Sequence, residues 1–126
     1  WLGEGKWDII HFNFGIHDRA TPLPDYRERL DALVTRMKES GETLIWASST
    51  PLPDLPEKKW TALSMIERNA AAAEIMKKHG VKIDDLYSAI QPRLEELQNP
   101  NDCHFKEAGN RFLGEQVAKF IGGQIE

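Results

Sequence analysis

The residues with the most chemical potential lie close together near the carboxyl end, in Asn99-Pro100-Asn101-Asp102-Cys103-His104-Phe105. A carboxylate two residues before a histidine can fix the imidazole tautomer and stabilise the ring when it is charged. That is the orienter–base half of a catalytic triad. The same spacing also describes a solvated loop pair, or for Asp102 an acid favouring the dipole of a following helix. A thiol beside an imidazole is a potential nucleophile. Adjacent residues usually point apart, however, so Cys103 is expected to be packed or idle. Two more polar segments, Asn13 to Asp18 and Ser48 to Thr50, each follow an apolar run.

Those runs read as strands. Trp7 to Phe14 ends at Gly15, Thr43 to Thr50 is stopped by Pro51, and the short Val81-Lys82-Ile83 follows Gly80. Between the first two, Tyr26, Leu30, Leu33, Val34 and Met37 recur at helical spacing, with Pro24 and Asp25 at the start and Gly41 at the stop. Between the second and third, Trp60, Leu63, Ile66, Ala70, Ala73 and Met76 mark one face of a longer helix ending at Gly80. A less regular helical stretch from Asp84 through Leu97 is interrupted at Pro92. A last helix stripes Phe112, Leu113, Gln116, Val117, Phe120 and Ile121, with Gly122 and Gly123 as its close. Strands alternating with helices imply parallel strands and a layered α/β fold. In such sheets ligands collect beyond the carboxyl ends of the strands, where the three polar segments converge.

With 126 residues the chain is one domain, 1–126. Its net charge of −4 argues against a nucleic-acid partner, which calls for a basic stripe. Its apolar runs fall short of the roughly 20 residues of a membrane helix. One cysteine excludes an intramolecular disulfide and a cysteine-cluster zinc site. No strand is followed by a glycine-rich phosphate loop, which disfavours a nucleotide-binding fold. Cytoplasm is the default compartment. A chain starting at Trp1 rather than Met leaves secretion open. Trp1, Trp7, Trp46 and Trp60 read as core or interface mass.

The segments WDIIHFNFGIHD (7–18) and NDCHFKEAGNRFLGEQVAKFI (101–121) resemble two signature blocks of the SGNH, or GDSL-like, hydrolases. The stretch PLPDYRERLDALVTRMKESGETLIWASSTPLP (22–53) resembles the helix and strand between them. The resemblance implies an α/β/α sandwich that hydrolyses small carboxylic acyl esters, including acyl groups on carbohydrates, with no metal or organic cofactor. His104 then matches the base. The family's aspartate stands three positions before it, where this chain has Asn101. Asp102 is the preferred orienter, because a neutral amide cannot support an imidazolium as a carboxylate does. The family pattern glycine, any residue, asparagine, aspartate falls on Gly15, Ile16, His17 and Asp18. His17 thus takes the place of the oxyanion asparagine, and an imidazole N–H can make that donation. Asn13 is a second candidate donor. Asp18 can also simply accept from its own loop.

No Gly-Asp-Ser nucleophile motif occurs anywhere. By resemblance the chain is the carboxyl-terminal portion of such a domain. The expected fold is a three-layer α/β/α sandwich with a short parallel sheet, a truncated flavodoxin-like arrangement lacking two strands and their helices. Ser49 and Ser48 are the serines at the active edge and the candidates for a substitute nucleophile. Their bland reading is that of small residues whose hydroxyls satisfy backbone at a strand end. Ser40, Ser64 and Ser88 fall in or beside helices. An uncovered first-strand edge from Ile9 through Phe14 would be a template for pairing. The expectation is a homodimer or higher oligomer, antiparallel about a two-fold axis. The competing view is that the missing portion is a second chain, or one removed by proteolysis. The competing function is a catalytically incomplete module that self-associates or binds.

Overall fold

Three parallel strands, β1 (Ile9–Phe12), β2 (Thr43–Ala47) and β3 (Lys82–Asp84), lie side by side in chain order. The structure, a computed structural model, describes residues 2–125. Trp1 lies outside them. Helix α1 (Leu23–Glu39) connects β1 to β2, and α2 (Ala62–His79) connects β2 to β3. Two short helices, α3 (Leu86–Ile90) and α4 (Leu94–Leu97), and a long α5 (Glu107–Ile125) complete the chain.

The register sorts the side chains by face. Ile10, Phe12, Leu44, Trp46 and Ile83 join the core that α1 and α2 close with Tyr26, Leu30, Val34, Met37, Ala72, Ile75 and Met76. Each fully buried apolar side chain of this size contributes roughly 1.5–3 kcal/mol. The opposite face carries His11, Ile45, Ala47, Lys82 and Asp84. There Lys82 bonds Gln124 of α5, which places α5 across the sheet from α1 and α2. The architecture is α/β, with a short parallel sheet between helices. No described helix is long and apolar enough to cross a membrane.

The strands are shorter than the apolar runs because side-chain amides take over their backbone pairing. Asn13 Nδ2 donates to the Ala47 carbonyl at 2.7 Å, and this side-chain bond takes the place of the ladder beyond Phe12. Asn69 holds both the N–H and the C=O of Ser49, each at 2.8 Å, and ends β2. Trp7 and Phe14, read as strand residues, stand 48% and 42% exposed. Helix α1 buries Tyr26, Leu30, Val34 and Met37 of the expected stripe, with Leu33 half-buried, and stops at Gly41, whose φ of 86° is readily adopted only by glycine. Gly80, at φ 67°, stops α2 in the same way.

Two expectations are overturned. The buried face of α2 is Met65, Arg68, Ala71, Ala72, Ile75 and Met76, while Leu63 and Ile66 are exposed. Arg68 is accommodated in the interior because backbone carbonyls accept its guanidinium hydrogens. Nε reaches Asp18 O at 3.0 Å, and the terminal nitrogens reach Thr21 O at 2.6 Å and Ser64 O at 3.3 Å. Nor do Gly122 and Gly123 close α5, which continues to Ile125. Each glycine costs a helix interior only about 1 kcal/mol, too little to break an established helix. Pro92 does interrupt, leaving a 3₁₀ turn, Gln91–Arg93, between α3 and α4.

Candidate active site

The His104 loop is fastened to the sheet rather than carried by a helix alone. Gln98, buried, donates from Nε2 to the Pro51 carbonyl just past β2, at 2.8 Å. Gln98 and Phe105 form an antiparallel bridge that closes the loop, and Asn99 N–H donates to His104 O at 3.0 Å. Phe105 packs with Ile90 and Leu97 beneath it. Asn101 turns the tip at φ 53°, a left-handed conformation that asparagine tolerates. The loop is thereby held at the end of the sheet where the strands finish.

Within it Asp102 Oδ1 lies 3.0 Å from His104 Nδ1 and accepts the Cys103 N–H at 2.7 Å. A carboxylate partner assigns the ring proton to Nδ1 and leaves the Nε2 lone pair free. The bond to His104 holds the Asp102 carboxyl below the usual carboxylate range. Asp102 is therefore charged at neutral pH. The His104 side chain is 78% exposed. Cys103 does not point away as adjacent residues usually do: its Sγ stands 3.5 Å from the same Nδ1. Partial burial, and then the charge of Asp102, push the thiol up, so it is held as S–H and is a poor nucleophile.

The β1 exit is a second, interlocked unit. Asn13 Nδ2 donates to Ser49 Oγ at 3.1 Å as well as to Ala47 O, so both its protons are engaged. Gly15 is buried directly against Ser49, and a Cβ there would fall 1.8 Å from Oγ. His17 is exposed on a 3₁₀ turn, Ile16–Asp18, and its ring makes no hydrogen bond among the described residues. Asp18 N–H donates to Gly15 O at 2.9 Å.

Tyr26 Oη donates to Phe14 O at 2.7 Å and holds this exit against α1. Burial first, and then the charge of Asp18, raise the Tyr26 phenol to about 12. A raised tyrosine stabilises the fold while protonated. Its contribution is complete below pH 10 and is lost as pH rises toward 12. Tyr26→Phe should therefore flatten the fall in stability between those values. Urea midpoints of both proteins across that range measure it, and identical slopes would show that the phenol does not carry it.

Both candidate serines are built into the framework. Ser48 Oγ donates to Asp85 Oδ1 and accepts the Tyr87 N–H, each at 2.9 Å. Ser49 is held by Asn13 and Asn69. Each is 4% exposed, and among the described residues neither is hydrogen-bonded to His104. The structure thus joins Asp102 to His104, and Asn13 and Gly15 to Ser49, as two separate groups.

Sequence reasoning missed four contributors: Asn69, Arg68, Gln98 and the pair His11–Asp84. His11 Nε2 and Asp84 Oδ2 meet at 3.0 Å across β2, where His11 is in register with Ile45 and Asp84 with Ala47, and Asp84 is 1% exposed. A histidine inside an apolar run was the one available signal for that pair.

No family model matches the chain, and no curated protein matches it. Solved structures do. A lipase/acylhydrolase from Enterococcus faecalis superposes at a TM-score of 0.79 with 20% identity, over 93% of this chain and 62% of the other. A member of the lipolytic protein G-D-S-L family from Veillonella parvula gives 0.70 and 15%, over 88% and 61%. An alpha/beta hydrolase enzyme from the metagenome of Lake Arreo, Spain, gives 0.73 and 19%, over 91% and 60%. The chain spans about three-fifths of the length of these structures. It has, over that length, the fold of the SGNH or GDSL-like hydrolases.

Proposed function

We propose that the chain supplies the base side of an SGNH-type ester hydrolase acting on small acyl esters, as a carboxylesterase or an O-deacetylase of acylated carbohydrates. The observation that carries this reading is the Asp102–His104 bond on a loop tied to the end of β2. In the reaction a serine hydroxyl attacks the ester carbonyl, and His104 Nε2 takes its proton and returns it to the departing alkoxide. Water then adds to the acyl-serine by the same route, releasing the acid and restoring the serine. Asp102 steadies the imidazolium. On the oxyanion side the engaged amide of Asn13 serves to position Ser49, and donation falls to the Gly15 N–H and the His17 ring. Within this chain the candidate for the attacking serine is Ser49, with Ser48 second, and either reaches His104 only if the loops at the strand ends rearrange. The test is p-nitrophenyl acetate hydrolysis by this chain beside His104→Ala. A rate lost in the variant supports the reading, and equal near-background rates leave a fold without this chemistry.

The second reading, a self-associating module, is favoured by the outer edge of β1. Among the described residues β1 pairs only with β2, and exposed Trp7 and Phe14 flank it. Such an edge is a template for a second strand, here β1 of another copy run antiparallel. Size-exclusion chromatography with light scattering at micromolar concentration should give twice the 14.4 kDa chain mass or more. A clean monomer would count against it.

A further inference from the structure

We propose that Asp102, Cys103 and His104 also form a three-donor site for a divalent cation of the zinc class, and that filling it disables the base. The inhibitory half rests on His104 being that base; the binding half does not.

The three donors are a carboxylate oxygen, a sulfur and an imidazole nitrogen, all within 4.8 Å of one another. Zinc holds nitrogen at about 2.0–2.1 Å and sulfur at about 2.3 Å in a tetrahedron, which fixes the N···S edge at about 3.5 Å and the N···O edge at about 3.4 Å. His104 Nδ1 and Cys103 Sγ already stand 3.5 Å apart. Asp102 Oδ1, at 3.0 Å from Nδ1, lies where the ion would enter, so the carboxylate swings aside as its hydrogen bond to the ring is replaced by a bond to the metal. A mixed N, S, O set suits zinc and its thiophilic neighbours, whereas magnesium and calcium select oxygen alone. The exposure of His104 leaves the fourth position to water.

Binding rearranges the protons in one defined way. Cys103 gives its thiol proton to solvent as the sulfur–metal bond forms. Nδ1 releases its proton to solvent as the nitrogen–metal bond forms, and Nε2 takes one up from solvent, so the ring stays neutral with its single proton now on Nε2. The nitrogen that would accept the serine proton becomes a donor, and the base is gone.

The metal ions alone serve as probes, with the intact chain and a phosphine reductant. Cobalt(II) should produce a saturable thiolate-to-metal charge-transfer band at one equivalent, abolished in Cys103→Ser and displaced by zinc. By calorimetry, Cys103→Ser and His104→Ala should each weaken zinc at least tenfold. No saturable band, or zinc affinity unchanged in either variant, would overturn the site. For the inhibitory half, one equivalent of zinc should lower p-nitrophenyl acetate hydrolysis at least tenfold, with full recovery on chelation. Zinc binding that leaves the rate intact overturns that half alone. Absence of hydrolysis in the metal-free chain counts against His104 as base and leaves the binding result standing.

Discussion

Gly15→Ala should destabilise the domain by about 3 kcal/mol, equivalent to a fall of about 10 °C in melting temperature. The added methyl would fall 1.8 Å from Ser49 Oγ and 2.9 Å from Ser49 Cβ. Rotating the hydroxyl away would break its bond to Asn13 but leave the Cβ contact unrelieved. Ser49 cannot retreat, because Asn69 grips its backbone on both sides. Overpacking of 1–3 kcal/mol and the loss of a buried hydrogen bond therefore fall together. The partner variant isolates the cause. In a Ser49→Gly background both clashing atoms are gone, and the cost of the alanine should fall below about 1 kcal/mol. Chemical denaturation of the four proteins measures the cycle. An equal penalty in both backgrounds would place the problem elsewhere than Ser49.

Asp102→Asn should lower the proposed ester hydrolysis on the order of 10⁴-fold, the scale for a triad orienter that loses its charge. The amide keeps the volume of the side chain, but it cannot stabilise an imidazolium and can present N–H rather than oxygen to Nδ1. Adding Asn101→Asp should not rescue the rate, because the bond to His104 Nδ1 runs from Asp102 while Asn101 turns the loop tip at φ 53°. Steady-state rates on p-nitrophenyl acetate settle both statements. Full rescue by the double variant would move the orienting role to position 101, and an unaffected Asp102→Asn would remove the pair from the reaction.

What could be read in advance follows from which interactions are local. The α1 stripe, the glycine stops at Gly41 and Gly80 and the break at Pro92 depend on neighbours a few residues away, and all are found. The Asp102–His104 contact spans two residues and was legible for the same reason. The α2 face was misjudged because Arg68 looks polar in sequence. Only the carbonyls of Asp18 and Thr21, 50 and 47 positions away, make it a core residue. Strand ends were overrun because Asn13 and Asn69 cap them from 34 and 20 residues off. The His11–Asp84 pair bridges 73 residues, and no spacing rule anticipates it.

The tether from Gln98 to Pro51 bears on how the molecule comes apart. Of the residues in α5 only Gly109, in its first turn, is fully buried, and the helix ends in a pair of glycines and an exposed Ile125. Its far end is where fraying begins. The loop carrying His104 is moored independently, by its own bridge and by a buried amide on the strand side. Unwinding the tail therefore leaves the imidazole at anchor, and amide exchange in the two regions should run on separate clocks. Distal helix amides exchange early, while Asn99 N–H, bonded to the His104 carbonyl, lasts as long as the sheet does.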